Sequence, residues 1–282
     1  MKISVIIPSW NRADRLAAAL DSVYAQSLTP HEIILVDDGS TDDTRELLAR
    51  HYPNVRYIFQ QNGGVSQARN TGITAASGDW IALLDSDDRW EPRKLEQQQA
   101  AIRATPDCKL CHSDEIWIRN GKRVNPMKKH AKHGGWIFRH CLPLCVISPS
   151  AVMIHRDIFT EIGLFDESLP ACEDYDLWLR ICAVYPVLYI EQPLIVKVGG
   201  HADQLSRRYW GMDRFRIQAL EKILAADVLG RQYQAAALET LREKTAVMIQ
   251  GAVKRGNHAL ADTYRDKQHK YSRMPCMADT AR

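Results

Sequence analysis

The sequence predicts an α/β fold in which a mixed, mainly parallel sheet is flanked by helices, and three observations support this. Short apolar runs at residues 3–7, 33–36, 55–59 and 80–84 have the composition of buried strands. Segments with helical spacing of apolar residues separate these runs. Strands that alternate with helices at this length form parallel pairs through right-handed crossovers. Such sheets bind ligands at the carboxyl ends of their strands, so the pattern already indicates where a site lies.

Local signals predict the helices of the first third of the chain. The first helix follows from apolar residues at helical spacing within residues 16–24. Ser40 is expected to cap the second helix, with Asp43 in its acidic first turn. A third helix is predicted over residues 65–76, and Pro92 is expected to begin the fourth at its favoured first turn.

The second half of the chain is less regular. Apolar content predicts two strands and then two helices, at residues 110–118, 146–154, 157–162 and 175–185. Residues 122–140 are rich in lysine and contain paired glycines, so we expect a mobile loop there. Helical spacing continues from residue 209, which predicts a C-terminal helical extension whose last residues are frayed.

Composition and charge exclude several classes of protein. The chain has 282 residues, of which 45% are apolar and 25% charged, as in a globular protein and not in a disordered or collagen-like one. The formal net charge of +3 is too small to indicate a nucleic-acid partner, which would need a clustered basic face. No stretch approaches the roughly 20 apolar residues of a membrane span.

The first strand and the cysteines indicate the cellular compartment. Pro8 interrupts the first apolar run, so we interpret that run as a buried strand and not as a signal peptide, and we expect a cytoplasmic protein. The 7 cysteines are odd in number, and Cys108 and Cys111 lack a second such pair. Free buried cysteines are therefore expected, rather than disulfides or a zinc site.

Two acidic clusters follow predicted strands. Asp37 and Asp38 follow the second strand, and Asp85 and Asp87 follow the fourth. Residues two apart in an extended chain point to the same side, so Asp85 and Asp87 are expected to face one ligand. Paired carboxylates repel each other unless a cation lies between them, and hard oxygen ligands suit Mg²⁺ or Mn²⁺. Helix capping by Asp87 or Asp88 is the alternative, but it explains one aspartate and not the pair.

Several short segments form a more specific pattern across roughly the first 200 residues. In chain order they are VIIPSWNR at 5–12, VDDGS at 36–40, NGG at 62–64, ARNTG at 68–72, GD at 78–79 before LDSDD at 84–88, EDYDLW at 173–178, and His201. With this content and order, the chain resembles family 2 of the glycosyltransferases. The resemblance implies a Rossmann-like GT-A fold and a nucleotide-activated sugar as donor. It does not extend over the C-terminal residues from 208.

The resemblance implies a set of nucleotide-binding residues: Pro8, Ser9, Asn11, Asp38, Arg69, Asp85 and Ser86. Asp38 corresponds to the aspartate that accepts a hydrogen bond from the base, typically uracil N3–H. A turn and a helix start are the structural alternative for Asp37 and Asp38. Arg69 corresponds to a residue near the nucleotide diphosphate, with a solvated helix cation as its alternative.

The resemblance also implies a metal site and a base. Asp87, Asp85 and His201 correspond to metal-binding positions, where Mn²⁺ or Mg²⁺ would neutralise the departing diphosphate. Asp174 corresponds to the base that deprotonates the acceptor hydroxyl, and Glu173 to a residue that orients the acceptor. Both acids would also favour a helix N-terminus without any catalytic role, and a lone histidine is more often not a metal ligand.

These inferences predict a metal-dependent inverting glycosyltransferase that moves a sugar from a UDP-sugar or other nucleotide-sugar to an acceptor hydroxyl. A GT-A domain is expected at residues 1–207, with a nucleotide-binding half at 1–105, an acceptor half at 106–207 and a helical extension at 208–282. The expected acceptor is a glycan, a lipid-linked glycan or another hydroxyl compound in cell-surface assembly. Association with the inner face of the cytoplasmic membrane and homo-oligomers are both compatible with the sequence.

Two rival classes are less favoured. A nucleotidyltransferase would share the sheet and the metal, but its glycine-rich signature loop is absent, since residues 9–12 contain no glycine. A degenerate, glycosyltransferase-like binding module should have lost acids at the metal or base positions, whereas Asp87 and Asp174 are both present.

Overall fold

The computed structural model describes residues 1–200 and 208–272. Its strands, β1 to β9 in chain order, are Ile3–Ser9, Glu32–Asp37, Arg56–Phe59, Trp80–Leu83, Arg89–Trp90, Leu110–Arg119, Lys122–Val124, Met153–His155 and Leu188–Gly199. Its helices, α1 to α10, are Ala13–Tyr24, Thr44–His51, Val65–Ala75, Lys94–Ala104, Phe138–Cys141, Arg156–Glu161, Glu173–Cys182, Asp213–Ala225, Arg231–Lys254 and His258–Ser272. The strands form one mixed sheet in the order β3-β2-β1-β4-β8-β6-β9-β5, and β7 pairs with β6. The predicted α/β fold with C-terminal helices is confirmed.

The first four strands form the parallel half of the sheet. Strand β1 pairs in parallel with both β2 and β4, and β2 pairs in parallel with β3. Ser9 is the register partner of Asp37, so the ends of β1 and β2 lie side by side. The loops that follow β1, β2 and β4 therefore leave the sheet at one edge, as the alternation of strands and helices predicted.

In the rest of the sheet, the strand predicted at 146–154 is shorter than expected, and strands β5, β7 and β9 were not predicted. Of the strand predicted at 146–154, only the end is a strand, because the chain first makes a single 3₁₀ turn at Pro149–Ala151. Strand β9 was not predicted, although it pairs with β6 along most of its length. Pro193 and two register irregularities interrupt β9, and they obscure the alternation that identifies a strand.

One local expectation, for Ser40, is corrected, and a second, for the loop at residues 122–140, is corrected only at its start. Ser40 does not cap the second helix, which begins at Thr44 after Asp43. The Ser40 hydroxyl instead accepts a hydrogen bond from the Asn11 backbone N–H. The segment predicted as a mobile loop begins as the short strand β7. It also contains Lys132, whose ammonium lies 2.9 Å from a buried Glu115 carboxylate oxygen.

Alternate residues of β1 face two separate apolar layers. Val5 packs in one cluster with Leu16 of α1, whereas Ile6 packs in a second cluster on the other face of the sheet. Leu220 of α8 and Leu238 of α9 belong to this second cluster. The C-terminal helices therefore complete the core on the side of the sheet where α3 and α7 pack.

Gly72 sets how closely α3 approaches the sheet. A Cβ atom at this position would lie 2.4 Å from Cγ2 of Ile6 and 3.3 Å from Cγ2 of Val36. Glycine weakens a helix interior, but here only glycine leaves room for the strands beneath it. The resulting contact brings α3 close to β1 and β2.

The helices and cysteines of the described residues can be compared with the sequence expectations. None of the helices in the described ranges is long and apolar enough to cross a membrane. The six cysteines in those ranges are free; five of them are buried as expected, whereas Cys145 is partly exposed. Cys141 and Cys182 approach each other with a sulfur–sulfur distance of 3.8 Å, as two packed thiols.

Candidate active site

A cleft of about 770 Å³ opens where β1, β2 and β4 end, and we refer to it as the main cleft. All the described residues predicted for the nucleotide and the metal line this cleft: Pro8, Ser9, Asn11, Asp38, Arg69, Asp85, Ser86 and Asp87. The two predicted catalytic acids, Glu173 and Asp174, lie outside its lining. His201 lies outside the described residues.

The two aspartates at the end of β2 have different environments. Asp37 is buried, and its carboxylate accepts hydrogen bonds from the Ser40 N–H at 2.8 Å and the Tyr57 hydroxyl at 2.7 Å. Asp37 therefore stabilises the turn, which is the structural role given above as the alternative for this residue. Asp38 lines the main cleft, and its carboxylate accepts hydrogen bonds from the N–H groups of Gly63 at 2.9 Å and Gly64 at 2.8 Å. Of the pair, Asp38 is therefore the residue available to a ligand.

The Asp38 carboxylate retains capacity for a further donor. It accepts three hydrogen bonds, two from the glycine N–H groups and one from Gln60 Nε2 at 2.7 Å. A carboxylate offers about four lone-pair sites. The protein donors fix the orientation of the group, and one acceptor position is left for a further donor.

Two serine hydroxyls in the main cleft have no partner among the described residues. The Oγ atoms of Ser9 and Ser66 are buried without a hydrogen bond. Leaving a buried polar group unsatisfied costs roughly 1–3 kcal/mol, so such atoms indicate the place of a bound ligand or water. Ser9 was predicted as a nucleotide contact, whereas Ser66, in the first turn of α3, was not.

The loop after β4 is a turn and not the extended chain that was assumed. The Asp88 N–H donates to the Asp85 carbonyl oxygen at 3.0 Å, and yet Asp85 and Asp87 both line the main cleft. Asp88 points away and is buried, where it accepts hydrogen bonds from the Ser150 hydroxyl at 2.7 Å and the Val198 N–H at 3.0 Å. Burial, and then the charge of Asp87, raise the pKa of Asp88 to about 8. Asp88 is thus separated from the cleft-facing pair.

Arg69 links the main cleft to helix α7. Its Nη2 atom lies 2.7 Å from Asp85 Oδ1, and its Nη1 atom lies 2.6 Å from Glu173 Oε1. The side chains of Arg69 and Glu173 are 4% and 5% exposed. Burial and then Asp174 raise the pKa of Glu173 to about 7, and the Arg69 charge opposes this shift. Both terminal nitrogens of Arg69 thus bind carboxylates, so the residue orients two acids at least as much as it faces a diphosphate.

Asp174 lies at the start of α7 beside the buried Glu173. Its Oδ1 atom accepts a hydrogen bond from the Tyr175 N–H at 2.7 Å, and its Oδ2 atom accepts one from the Cys145 thiol at 3.1 Å. Burial and the Asp174 charge raise the pKa of Cys145 well above its usual range, so the thiol keeps its proton and remains a donor. Asp174 is partly exposed, which leaves its carboxylate accessible from solvent.

The cleft acids fit a divalent cation that also binds a ligand. No group of three or more His, Cys, Asp or Glu side chains that could hold a metal occurs within residues 1–200 and 208–272. Mg²⁺ is commonly bound by one or two carboxylates together with substrate phosphates and water. Asp85 and Asp87, on one turn at the cleft, match that donor set, although Asp85 also binds Arg69.

Several cleft residues were not identified from the sequence. Besides Ser66, the lining includes Trp10, Glu167, Arg208 and Tyr209. Glu167 lies before α7 and accepts a hydrogen bond from Asn70 at 2.8 Å. Trp10 lies within the motif at residues 5–12, so its place in that motif could have identified it as a cleft residue. Arg208 and Tyr209 follow the segment covered by the resemblance, and no pattern marked them.

A mixed sheet whose parallel strands end at an acid-lined cleft defines this protein as a member of the GT-A class. Comparison with known sequences specifies the class further, because the sequence model described as glycosyl transferase family 2 matches residues 4–163, more than half of the chain. The chain belongs to glycosyl transferase family 2.

Relatives and solved structures agree with this assignment. The chain is 31% identical over 207 residues to an uncharacterised glycosyltransferase of Rickettsia prowazekii, covering 72% of this chain and 65% of the relative. It is 30% identical over 193 residues to chondroitin synthase of Escherichia coli, covering 67% of this chain and 28% of the synthase. The structure of S. aureus TarS residues 1–349 in complex with UDP-GlcNAc matches with a TM-score of 0.68 at 21% identity, covering 86% of this chain and 71% of that one. At this identity, the structural likeness supports the fold.

The curated relatives are longer than this chain. The chain spans 35% of a Rickettsia felis relative and 65% of the Rickettsia prowazekii protein. The shared part therefore corresponds to one region of those proteins.

Proposed function

We propose that this protein is a metal-dependent inverting glycosyltransferase that transfers a sugar from a UDP-sugar to an acceptor hydroxyl. The observation that carries the proposal is the convergence of Asp38 with Asp85 and Asp87 on one cleft, from the ends of β2 and β4. The complexes of TarS with UDP-GlcNAc and with UDP support a uridine nucleotide as the donor class.

The main cleft would hold the nucleotide in a fixed orientation. The Asp38 carboxylate, held by Gly63, Gly64 and Gln60, would accept the base N–H. A nucleotide analogue whose base lacks this N–H would leave the buried Asp38 carboxylate oxygen unpaired, and the analogue should therefore bind more weakly. Pro8, Ser9 and Asn11, at the end of β1, would contact the base and ribose, and the unpartnered Ser9 and Ser66 hydroxyls would donate to the ligand.

Asp85 and Asp87 would hold the divalent cation, with Ser86 between them on the same turn and His201 as a further ligand. A bound Mn²⁺ or Mg²⁺ supplies positive charge that stabilises the departing diphosphate. Arg69 would keep Asp85 in place through the 2.7 Å ion pair. The same guanidinium binds Glu173, so the orientation of α7 depends on the acids of the cleft.

Asp174 would remove the proton from the acceptor hydroxyl. A single displacement needs one base on the acceptor side, and a positioned base contributes about 10²–10⁴-fold. The hydrogen bonds from the Tyr175 N–H and the Cys145 thiol fix both oxygens of the Asp174 carboxylate. Glu173, held by Arg69, would support this orientation and not take the proton itself.

The proposal divides the chain by role. Residues 1–105 would bind the nucleotide, 106–207 would bind the acceptor, and 208–282 would form the helical extension. We place the enzyme in the assembly of a cell-surface glycan on the cytoplasmic side, where nucleotide-sugars are available. The similarity to chondroitin synthase supports a glycan acceptor.

One experiment tests the proposal directly. The purified protein is incubated with a panel of UDP-sugars, Mn²⁺ and simple sugar acceptors, and the released UDP is measured. UDP release that requires Mn²⁺ and is lost in Asp87→Ala is the expected result. A protein that releases no UDP from any donor, and whose melting temperature does not change with UDP and Mn²⁺, would contradict the proposal.

A further inference from the structure

A series of contacts between aromatic rings and arginines begins at the main cleft and continues onto α8 and the end of α9. We refer to this set as the arginine–aromatic ladder, and in order of contact it consists of Trp10, Arg208, Tyr209, Phe215, Arg214, Trp210 and Arg255. Trp10, Arg208 and Tyr209 also line the main cleft. The ladder is therefore continuous with the site proposed for the donor.

The first part of the ladder lies at the cleft. The guanidinium carbon of Arg208 is 5.8 Å from the ring centroid of Trp10 and 5.8 Å from that of Tyr209. The Tyr209 ring meets the Phe215 ring edge-on, at a centroid distance of 5.6 Å. These contacts connect the loop after β1 with the start of α8.

The second part leads away from the cleft. The guanidinium carbon of Arg214 lies 4.5 Å from the centroid of Phe215 and 4.7 Å from that of Trp210. The guanidinium carbon of Arg255 lies 5.9 Å from the centroid of the same Trp210 ring. Arg255 ends α9, so the ladder joins two helices through one tryptophan.

Four members of the ladder are exposed, Phe215 is buried, and three arginines make the ladder positively charged. Trp10 and Trp210 are 44% and 53% exposed, and Arg208 and Arg255 are also exposed. Within the described ranges, no carboxylate pairs with Arg208, Arg214 or Arg255 in the way that Asp213 pairs with Arg216. The Nε atom of Arg214 is buried with no hydrogen-bond partner in those ranges.

Internal stabilisation does not account for this arrangement. An exposed cation–π contact stabilises a fold by only about 0.5–1 kcal/mol, whereas exposed tryptophan faces lose the benefit of burial. Guanidinium groups without carboxylate partners keep their donors available for carboxylate, sulfate or phosphate groups of a ligand. Flat aromatic faces between such cations match a chain of sugar rings that carries negative charge.

We infer that the arginine–aromatic ladder binds the non-reacting part of an anionic glycan acceptor and directs its end into the main cleft. This inference rests on the proposed function, because it specifies the chemical class of the acceptor. Trp10 and Trp210 would stack against sugar rings, and the arginines would bind the anionic groups along the same chain. A nucleic acid or a lipid surface would not require the continuity of the ladder with a sugar-transfer site.

Two ladder variants and two matched controls test the inference. Trp210→Ala removes the exposed ring, and its control is Trp136→Ala, because Trp136 is 60% exposed and lies outside the ladder. Arg255→Glu reverses a charge at the end of α9, and its control is Arg103→Glu in the last turn of α4. None of the four positions lines the main cleft, so the increase in melting temperature caused by UDP and Mn²⁺ should be the same in all four variants.

Binding is measured by affinity electrophoresis in gels that contain polygalacturonate, dextran sulfate or neutral dextran. The protein should bind both anionic glycans and not neutral dextran, and added salt should weaken the binding, since exposed charges are screened. Trp210→Ala and Arg255→Glu should each weaken it by about tenfold, the effect of one well-placed contact residue. The two controls should change it by less than about twofold.

The inference would be overturned by no binding to either anionic glycan, by equal binding to neutral dextran, by equal weakening in the controls, or by binding that is insensitive to Trp210→Ala. Duplex DNA serves as a polyanion without a sugar-stacking face, and DNA binding as tight as glycan binding would also overturn it. Ladder-dependent glycan binding in a protein that releases no UDP and is not stabilised by UDP and Mn²⁺ would support the ladder and contradict the proposed function. UDP release without ladder-dependent glycan binding would support the proposed function and contradict the role of the ladder.

Discussion

Arg69 and Glu173 form a buried ion pair of 2.6 Å between residues that are 104 positions apart in the sequence. The same guanidinium binds Asp85 at the main cleft, so one side chain contacts an acid from each half of the site. Glu173 precedes the proposed base Asp174 on α7. The proposed metal-binding turn and the proposed base are therefore connected through a single cation.

The buried position of Glu173 predicts a pH-dependent stability. Its pKa is raised from 4.5 to about 7, so the folded state binds a proton that the unfolded state has released between these pH values. The free energy of unfolding contributed by this group is fully present below pH 4.5 and is lost as the pH rises through about 7. Glu173→Gln should remove that decline, as measured by urea unfolding across this range. Glu167→Gln, at an exposed position, should follow the wild type, and a Glu173→Gln variant that also follows it would contradict the prediction.

The proposed contact between Asp38 and the base predicts that a change at Asp38 weakens the binding of UDP more than that of pyrophosphate. Asp38→Asn should weaken the binding of UDP by about tenfold or more, because an amide nitrogen that faces the N–H of the base leaves that N–H unpaired. Pyrophosphate, which has no base, should lose much less affinity, and calorimetry of both ligands measures the difference. Asp37→Asn is the matched control, because the Asp37 carboxylate accepts hydrogen bonds from the Ser40 N–H of the turn and from the Tyr57 hydroxyl and does not line the main cleft. Equal loss of both ligands in Asp38→Asn would assign Asp38 a structural role.

The acids of the turn after β4 predict metal-dependent binding. UDP should raise the melting temperature in the presence of Mn²⁺ and not in excess chelator, because Asp85 and Asp87 would otherwise repel the diphosphate. Asp87→Ala should abolish the Mn²⁺-dependent increase and leave the unliganded melting temperature nearly unchanged. Asp43→Ala, at an exposed position without a capping hydrogen bond, is the control. An equal effect of UDP with and without chelator would argue against the metal assignment.

Asp174 is expected to control the chemical step. Asp174→Asn keeps the size of the side chain and can still accept the Tyr175 N–H, but it cannot take a proton. It should lower kcat by about 10²–10⁴-fold and leave the affinity for UDP unchanged. Asp176→Asn on the same helix is the control, since Asp176 is buried in pairs with Arg180 and Lys222 and should affect stability more than kcat. A variant at Asp174 that keeps most of its kcat would exclude this residue as the base.

The sequence predicted the cleft residues better than it predicted their local geometry. Short motifs after apolar runs identified Asp38, Asp85 and Asp87, because parallel strands bring their carboxyl ends together. The same motifs did not show that the segment from Asp85 forms a turn, or that Asp88 is buried beneath it. Such details depend on the Ser150 hydroxyl and the Val198 N–H, which lie far along the chain.

Contacts between distant segments could not be predicted from local patterns. Nothing near Arg69 indicates that its partner is Glu173, and nothing near Asp174 indicates that Cys145 donates to it. Strand β9 was missed for a related reason, because its place in the sheet depends on pairing with β6 and not on its own alternation. The arginine–aromatic ladder likewise assembles from three separate segments of the chain.

The second apolar cluster places Ile6 of β1 in the same core as Leu238 of α9. A ribosome therefore completes the first strand of the sheet long before it makes the residues that cover one of its faces. During synthesis, that face of the nascent sheet is left exposed to chaperones or to other chains. Completion of this core then depends on α8 and α9, so we expect a chain that stops within α9 to aggregate instead of forming a shortened enzyme.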